Sequence, residues 1–586
     1  MSNLNPVESY ITIFDVFPDT KNDLASFIDL LKGLSKTDSI IWCSRLNIIM
    51  SSTTLSYNEK QQYGVKQFLS SEDINNLNRA IQNQGKKTAT LFFRGQILEL
   101  LRWIVLYCKD YANDGNTFEN LETRRTFAKA LLIASDIWEK RIFKNWYFND
   151  EDIETKKKLV LGSVRKIIES QLSTPELEKT FGRGWTLFNE YLPQFYKSFY
   201  SDFQNTTGLS IEEYFICLVS LITNFIKDDS TNIFQIDRLG NDPQSFSLFR
   251  NYIKLESQNS YELRTSLWRR TITDLDYISS VPEYDYKPIR EKPIFFTENG
   301  RGIIIDPIFY CERALIGPLF YVSKQCGNQV FSLFGKAFEK YSCDILQRMY
   351  PEPKNLCKRL FCNIELPTKR GVNIGEIDAC LNDVYELVLF EMKAIFIRDN
   401  AYLDSPDKLL EIIKEKYGVT QTYNSKSIKG VGQLARIINE VVLNKMEVNG
   451  LDLCKVQKIY PVLVVHDSLL HSPLYGEFLA SEFKELIAPD SILSNGEMIK
   501  TDTRILPLIL MTIEELENIE TASEHFGMKE FLNDYSIECP DRKVSINNFV
   551  ANSKKYTFYH NKYLASKSLD IIQKTGKYMF NDTFNK

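Results

Sequence analysis

The chain has 586 residues, of which 44% are hydrophobic and 25% charged, with a net charge of −5 at pH 7. That balance excludes a disordered or fibrous protein and is enough chain for about two to four cores. An acidic surface does not attract phosphate, so a nucleic-acid partner has to be held by local basic patches and metal ions.

Residues 1 to about 285 read as helices. Apolar residues recur at helical spacing over Ala89 to Tyr111, Thr126 to Trp146 and Ile211 to Ile226. Ser70-Ser71-Glu72-Asp73 and Ser173-Thr174-Pro175-Glu176 have the form of helix starts. No catalytic motif and no repeat of fixed period is visible here, and the segment is expected to be a regulatory, sensor or partner-binding module.

The pattern changes near residues 280 to 290. Lys287-Pro288 and Lys292-Pro293 precede two β-rich runs around Glu298-Asn299-Gly300, and Asn-Gly between such runs predicts a hairpin. Val330 to Tyr350 predicts an amphipathic helix with Phe334, Phe338, Tyr341 and Ile345 as its apolar stripe, ended by Pro351. Glu339 lies at the margin of that stripe, where it either pairs with Lys336 or Lys340 in solvent or reaches a buried site. Lys354 to Val372 carries Lys354, Lys358, Arg359, Lys369 and Arg370 against one acid, Glu365, and reads either as a solvated loop or as a phosphate-contacting rim.

Gly375 to Ala394 concentrates the chemistry. Asp378 ends one short strand-like run, and Glu391 and Lys393 lie two apart in the next. Residues two apart in a strand share a face, so Glu391 and Lys393 are expected on one side and Phe390 and Met392 on the other, with Asn382-Asp383 as the turn. In a hairpin, Asp378 would then approach Glu391. A helix is expected from Lys429 to Leu443, with Lys429 and Gln433 on one face. Strands follow at Lys455 to His466 and Arg504 to Met511, and Thr512 caps a further helix. The segment 551–586 holds seven lysines and two aspartates among several tyrosines and reads as a helical appendage or a nucleic-acid-binding tail.

Several classes of chemistry are poorly supplied. The 11 cysteines contain no CxxC pair, which favours reduced, buried thiols over disulfides or a zinc ribbon. Only His466, His471, His525 and His560 could serve imidazole chemistry. No run reaches the roughly 18 to 20 apolar residues of a membrane span, and no secretion leader is visible, so a cytoplasmic protein without a membrane partner is expected. Two carboxylates and an ammonium at one spot instead suit phosphodiester hydrolysis with Mg²⁺, a cation that prefers oxygen ligands and keeps several waters.

These residues resemble the PD-(D/E)XK nuclease superfamily, in which an acid is followed by E-x-K. GEID followed by LVLFEMKA is similar to its Holliday-junction-resolvase-like and Mrr-like branches. The resemblance covers residues 325–470 and implies a restriction-endonuclease-like core of mixed β-sheet flanked by helices. It implies Asp378, Glu391 and Glu339 as metal ligands, Lys393 and Gln433 as further catalytic residues, Mg²⁺ or Mn²⁺ as cofactor, and DNA as substrate. Lys358, Arg359, Lys369, Arg370 and Lys429 are candidates for backbone contacts. Glu376 matches no family position.

The expected architecture is α+β or α/β: a helical module at 1–285, a nuclease domain at 286–520 and a lysine-rich helical appendage at 521–586. The expected function is an endodeoxyribonuclease in bacterial anti-phage or mobile-element defence. The helical half leaves room for a partner protein, and cutting both strands of a duplex leaves room for a homo-oligomer. A non-catalytic nucleic-acid-binding or assembly subunit and an RNA-directed nuclease remain open.

Overall fold

The computed structural model describes residues 9–83, 89–110, 119–143, 160–161, 164, 167–223, 233–235, 239, 243–268, 286–351, 358–366, 375–383, 385–397, 406–422, 425–444, 447–448, 451–452, 456–467, 470, 472–487, 493–494, 497–498, 504–540 and 544–579. The N-terminal half is helical, as its periodicity predicts, with different edges. The first apolar run is a two-residue strand, Ala89–Thr90, followed by a helix from Arg94 to Tyr107; the next two are helices Leu121–Phe143 and Ile211–Thr223. Ser70 does open a helix: its hydroxyl meets the Asp73 amide at 3.2 Å while its own amide donates to Asp73 at 2.8 Å. Thr174-Pro175 lies outside the next helix, α1 (Leu177–Trp185), whose cap position is Glu176.

The Asn-Gly hairpin forms, with Ile294–Phe296 antiparallel to Arg301–Ile304 and Gly300 at φ 74. It belongs to a four-stranded sheet with Ile233–Gln235 and Ser257–Asn259 at its edges. Two long helices follow, α2 (Pro307–Cys326) and α3 (Gln329–Met349). The Asp306 side chain caps α2 by accepting the Phe309 amide at 2.9 Å.

A six-stranded mixed sheet comes next. Its strands are β1 (Lys358–Glu365), β2 (Glu376–Asp383), β3 (Glu386–Lys393), β4 (Lys458–Val465), β5 (Arg504–Ile505) and β6 (Ile509–Thr512). The path runs β5-β4-β3-β2-β1, with β6 also on β4. β1, β2 and β3 are successively antiparallel, and β4 is parallel to β3, β5 and β6. The β3-to-β4 connection contains helix α4 (Val431–Asn444), which packs on β3. The predicted strand Arg504 to Met511 is broken at Leu506-Pro507-Leu508, because proline has no amide to donate to a ladder. Thr512 then caps α5 (Ile513–Thr521) in a capping box with Glu515.

The sheet has two buried faces. Val388, Phe390 and Met392 of β3 and Tyr460, Val462 and Val464 of β4 pack with Phe334, Phe338 and Tyr341 of α3. Leu387 and Leu389, with Ile459, Leu463 and Val465, pack with Leu434 and Ile438 of α4. The first of these cores does not stop at residue 285. It also holds Phe181, Trp185, Phe188, Tyr214 and Phe215.

The tie between the halves is made at α1. A Cβ on Gly182 would stand 2.3 Å from the Leu564 carbonyl oxygen of the last helix, α6 (Lys562–Met579), and one on Gly184 would stand 2.3 Å from that of Ala314 in α2. Only glycine permits both approaches. Between them Arg183 donates to Glu517 of α5 at 2.7 Å and 2.5 Å, and Tyr341 of α3 donates to the same carboxylate at 2.6 Å. Arg183 and Glu517 are both buried. Two lysines of α6 make part-exposed ion pairs to the helical half: Lys567 with Glu190 and Lys574 with Glu212, at 2.6 and 2.7 Å. The described part of the C-terminal segment is therefore a non-helical stretch from Ser553 to Asn561 followed by a packed helix.

Removing one partner of a buried ion pair strands the other. Arg183→Met is expected to destabilise the protein by about 3–5 kcal/mol in chemical denaturation. The double variant Arg183→Met/Glu517→Gln should recover most of that loss, since the glutamine carries no charge and still accepts from Tyr341.

Candidate active site

The site forms where β2 leaves β3. Their ladder runs from Asp383↔Glu386 to Ala379↔Phe390 and ends there, while β2 stays paired with β1 as far as Glu376. The strands close at Asp383↔Glu386, so Asn382-Asp383 remain in the strand rather than making the turn. At the opening, the Asp378 carboxylate takes the place of a ladder carbonyl and accepts the Met392 amide at 2.7 Å. The Cys343 thiol of α3 donates to the Asp378 carbonyl at 3.4 Å. Asp378 is thus held by both its side chain and its main chain.

Lys393 closes the cluster. Its Nζ stands 2.6 Å from Glu391, 3.7 Å from Asp378 and 3.9 Å from Glu339. Glu391 and Lys393 share a face of β3 and Glu339 comes across from α3, so Glu339 is paired with Lys393 rather than with Lys340, which binds Asp344. The carboxylates differ in access: the Glu391 side chain is 0% exposed, Asp378 9% and Glu339 33%. The cluster therefore opens to solvent on the Glu339 side. Glu376 lies exposed beyond Asp378.

Burial of like charges sets the proton affinities. Burial, then the Asp378 charge, push Glu391 up to about 8. Burial and the same neighbour push Glu339 up to about 7. Burial also raises Asp378, against the opposing pull of Lys393. Burial would lower the Lys393 ammonium, but Glu391 and Asp378 outweigh it, and the group is held above the ordinary lysine range. Lys393 is thus a fixed cation amid acids that are not all ionised at neutral pH.

The donor set suits a hard divalent cation: three carboxylates of graded depth, with the Oε2 atom of buried Glu391 lacking a hydrogen bond. Among the described residues, no three His, Cys, Asp or Glu side chains stand close enough around one point to hold a metal ion as they are. The Lys393 ammonium lies between them, and a bound metal would have to displace it.

These shifts carry a sign. A carboxyl whose folded value lies above its unfolded value near 4.5 binds its proton more tightly in the folded state. Its stabilising contribution is full below about pH 4.5 and is lost as pH rises through the folded value. Metal-free protein should therefore lose melting temperature between about pH 5 and about pH 8, and Glu391→Gln should lose less. Parallel melting curves in chelator for the two proteins would contradict the assignment.

Other sequence candidates are placed differently. Gln433 is part-buried in the first turn of α4, and no hydrogen bond joins it to the cluster. Lys429 precedes that helix, which starts at Val431, and Gly430 at φ 48 turns the chain between them, so Lys429 and Gln433 do not share a helical face. Arg359 is exposed on β1, its guanidinium 4.9 Å above the Phe361 ring. Lys358 opens β1 by its backbone; its side chain, and Lys369 and Arg370 altogether, lie outside the described residues, as does His471. His466 is buried and neutral: burial holds its imidazole down at about 3, among the rings of Phe334, Phe338 and Phe396.

The sequence places Cys343, four residues after Glu339, on its helical row but assigns it no role, and it gives no sign of Asn363, across from Asp378 and the one non-glycine residue with positive φ among those described. The chain matches no family model, no curated protein and no solved structure.

Proposed function

We propose that this protein is a divalent-metal-dependent nuclease that hydrolyses phosphodiester bonds of DNA, on a restriction-endonuclease-like core. The observation that carries the reading is the Lys393 ammonium within 3.9 Å of three carboxylates at a point where two strands part. Such a cluster is costly to keep unless its charges have a use. Asp378 and Glu391 would hold Mg²⁺ or Mn²⁺, with Glu339 as a third ligand or as acceptor for a metal-bound water. When bound, the ion neutralises phosphoryl oxygens and polarises the attacking water.

The chain's own groups supply the rest. Lys393, which Glu391 and Asp378 hold protonated until the ion displaces it from between them, would then orient water and stabilise developing negative charge rather than serve as the base. Glu339, part-exposed and held at about 7 by burial, is the carboxylate suited to exchange a proton with water near neutral pH. The Asp378–Met392 hydrogen bond and the Cys343 thiol keep the first ligand from collapsing onto Lys393. A role in anti-phage or mobile-element defence fits a nuclease built into a large helical body and rests on analogy of architecture.

A second reading is a non-catalytic nucleic-acid-binding or assembly subunit, and one observation favours it: Lys393 already neutralises the carboxylates in this arrangement. Cleavage assays separate the two. With Mg²⁺ or Mn²⁺, wild-type protein is expected to cut plasmid or linear DNA, and Asp378→Ala and Lys393→Ala to lose about a hundredfold or more. RNA and single-stranded DNA in the same panel fix the substrate. No metal-dependent cutting of any of them would leave the binding reading.

A further inference from the structure

We propose that Asn363 is a positioning residue for Asp378, an inference that rests on the nuclease reading above. Asn363 lies on β1 across from Asp378 and has φ 52. Left-handed backbone is costly for most residues and least so for glycine, asparagine and aspartate. The β1–β2 ladder pairs Cys362↔Ala379 on one side of this point and Ile364↔Ile377 on the other, and skips Asn363 and Asp378.

The sheet changes face there. Leu360 and Cys362 of β1 and Ala379 and Leu381 of β2 pack into the core under α3. Ile364 and Leu366, with Ile377, pack into the core under α4 instead. In an uninterrupted strand, residues two apart share a face, so Cys362 and Ile364 would not separate, nor would Ala379 and Ile377. The register is unchanged across the break, so no residue has been inserted: the backbone turn at Asn363 reverses the pleat of both strands.

The consequence falls on Asp378. Beyond Ala379 the reversed β2 no longer pairs with β3, and the Asp378 carboxylate enters the gap to accept the Met392 amide at 2.7 Å and to stand 3.7 Å from Lys393. With a regular pleat at 363, β2 would continue along β3, the Met392 amide would go to a main-chain carbonyl, and Asp378 would leave the cluster. Asn363 touches neither metal nor substrate in this scheme; it acts through Asp378.

The test uses full-length Asn363→Gly, which tolerates φ 52, and Asn363→Val, whose branched side chain does not. Asn363→Ala imposes a milder penalty at the same angle and serves if the valine variant does not fold. Mn²⁺ binding is measured by calorimetry without DNA, and cleavage of plasmid DNA is followed against Mn²⁺ concentration. The glycine variant should keep the wild-type Mn²⁺ constant. The valine variant should weaken it by about tenfold or more, with alanine between. A merely structural role lowers the amount of folded protein and scales activity at every Mn²⁺ concentration without moving the half-saturation point.

A valine or alanine variant with the wild-type Mn²⁺ constant, or a glycine variant as weak as valine, overturns the positioning role while leaving the nuclease reading intact. Wild-type protein that neither binds Mn²⁺ nor cuts overturns both.

Discussion

A lysine ammonium and three carboxylates share one small volume, and most of the surrounding structure can be understood as what that arrangement requires. Glu391 is fully buried beside Asp378, so the two cannot both ionise without a cation at hand. Lys393, two residues along the same strand, is the cation that the chain itself provides. Because strand geometry puts positions 391 and 393 on one face, the pairing needs no long-range fold; bringing in Asp378 and Glu339 does. The first depends on β2 parting from β3, and the second on α3 crossing the same end of the sheet.

The helical half contributes to that rigidity. α1 is wedged between α2 and α6 at two glycines and joined to α5 through Arg183 and Glu517, while Tyr341, on the face of α3 that meets the sheet, donates to the same carboxylate. The helix that carries Glu339 is thereby fixed on one side by the sheet and on the other by residues from before position 285. The continuous apolar core from Phe181 to Ile571 makes the helices between Phe181 and Ile253 part of the support for the site, while the helices before Phe143 pack around a second core with Ile289 and Phe309.

Much of this was legible in the sequence because the relevant patterns are local. The alternation around Glu391 and Lys393, the helical stripe before Pro351, the Asn-Gly hairpin and the Thr512 cap each follow from a few adjacent residues, and the structure contains all of them. What was not legible depends on contacts across the chain or on a single dihedral. Leu360, Cys362, Ile364 and Leu366 alternate as if on one face, and only the backbone turn at Asn363 divides them between two cores. Lys429 and Gln433 have helical spacing, but Gly430 starts the helix after Lys429. The lysines of α6 read as a basic tail until Glu190 and Glu212, more than 350 residues away, are seen to pair with two of them.

The central claim is that the cluster exchanges its internal cation for a divalent one. Glu391 at about 8 and Glu339 at about 7 hold protons at neutral pH that a bound metal must expel. Calorimetric titration of Mn²⁺ into wild-type protein, repeated in buffers of different ionisation enthalpy, counts those protons. The account predicts saturable binding, lost in Asp378→Asn, with release of about one proton per ion near pH 7 that vanishes toward pH 9. Absence of binding, or binding that Asp378→Asn leaves unchanged, would contradict it.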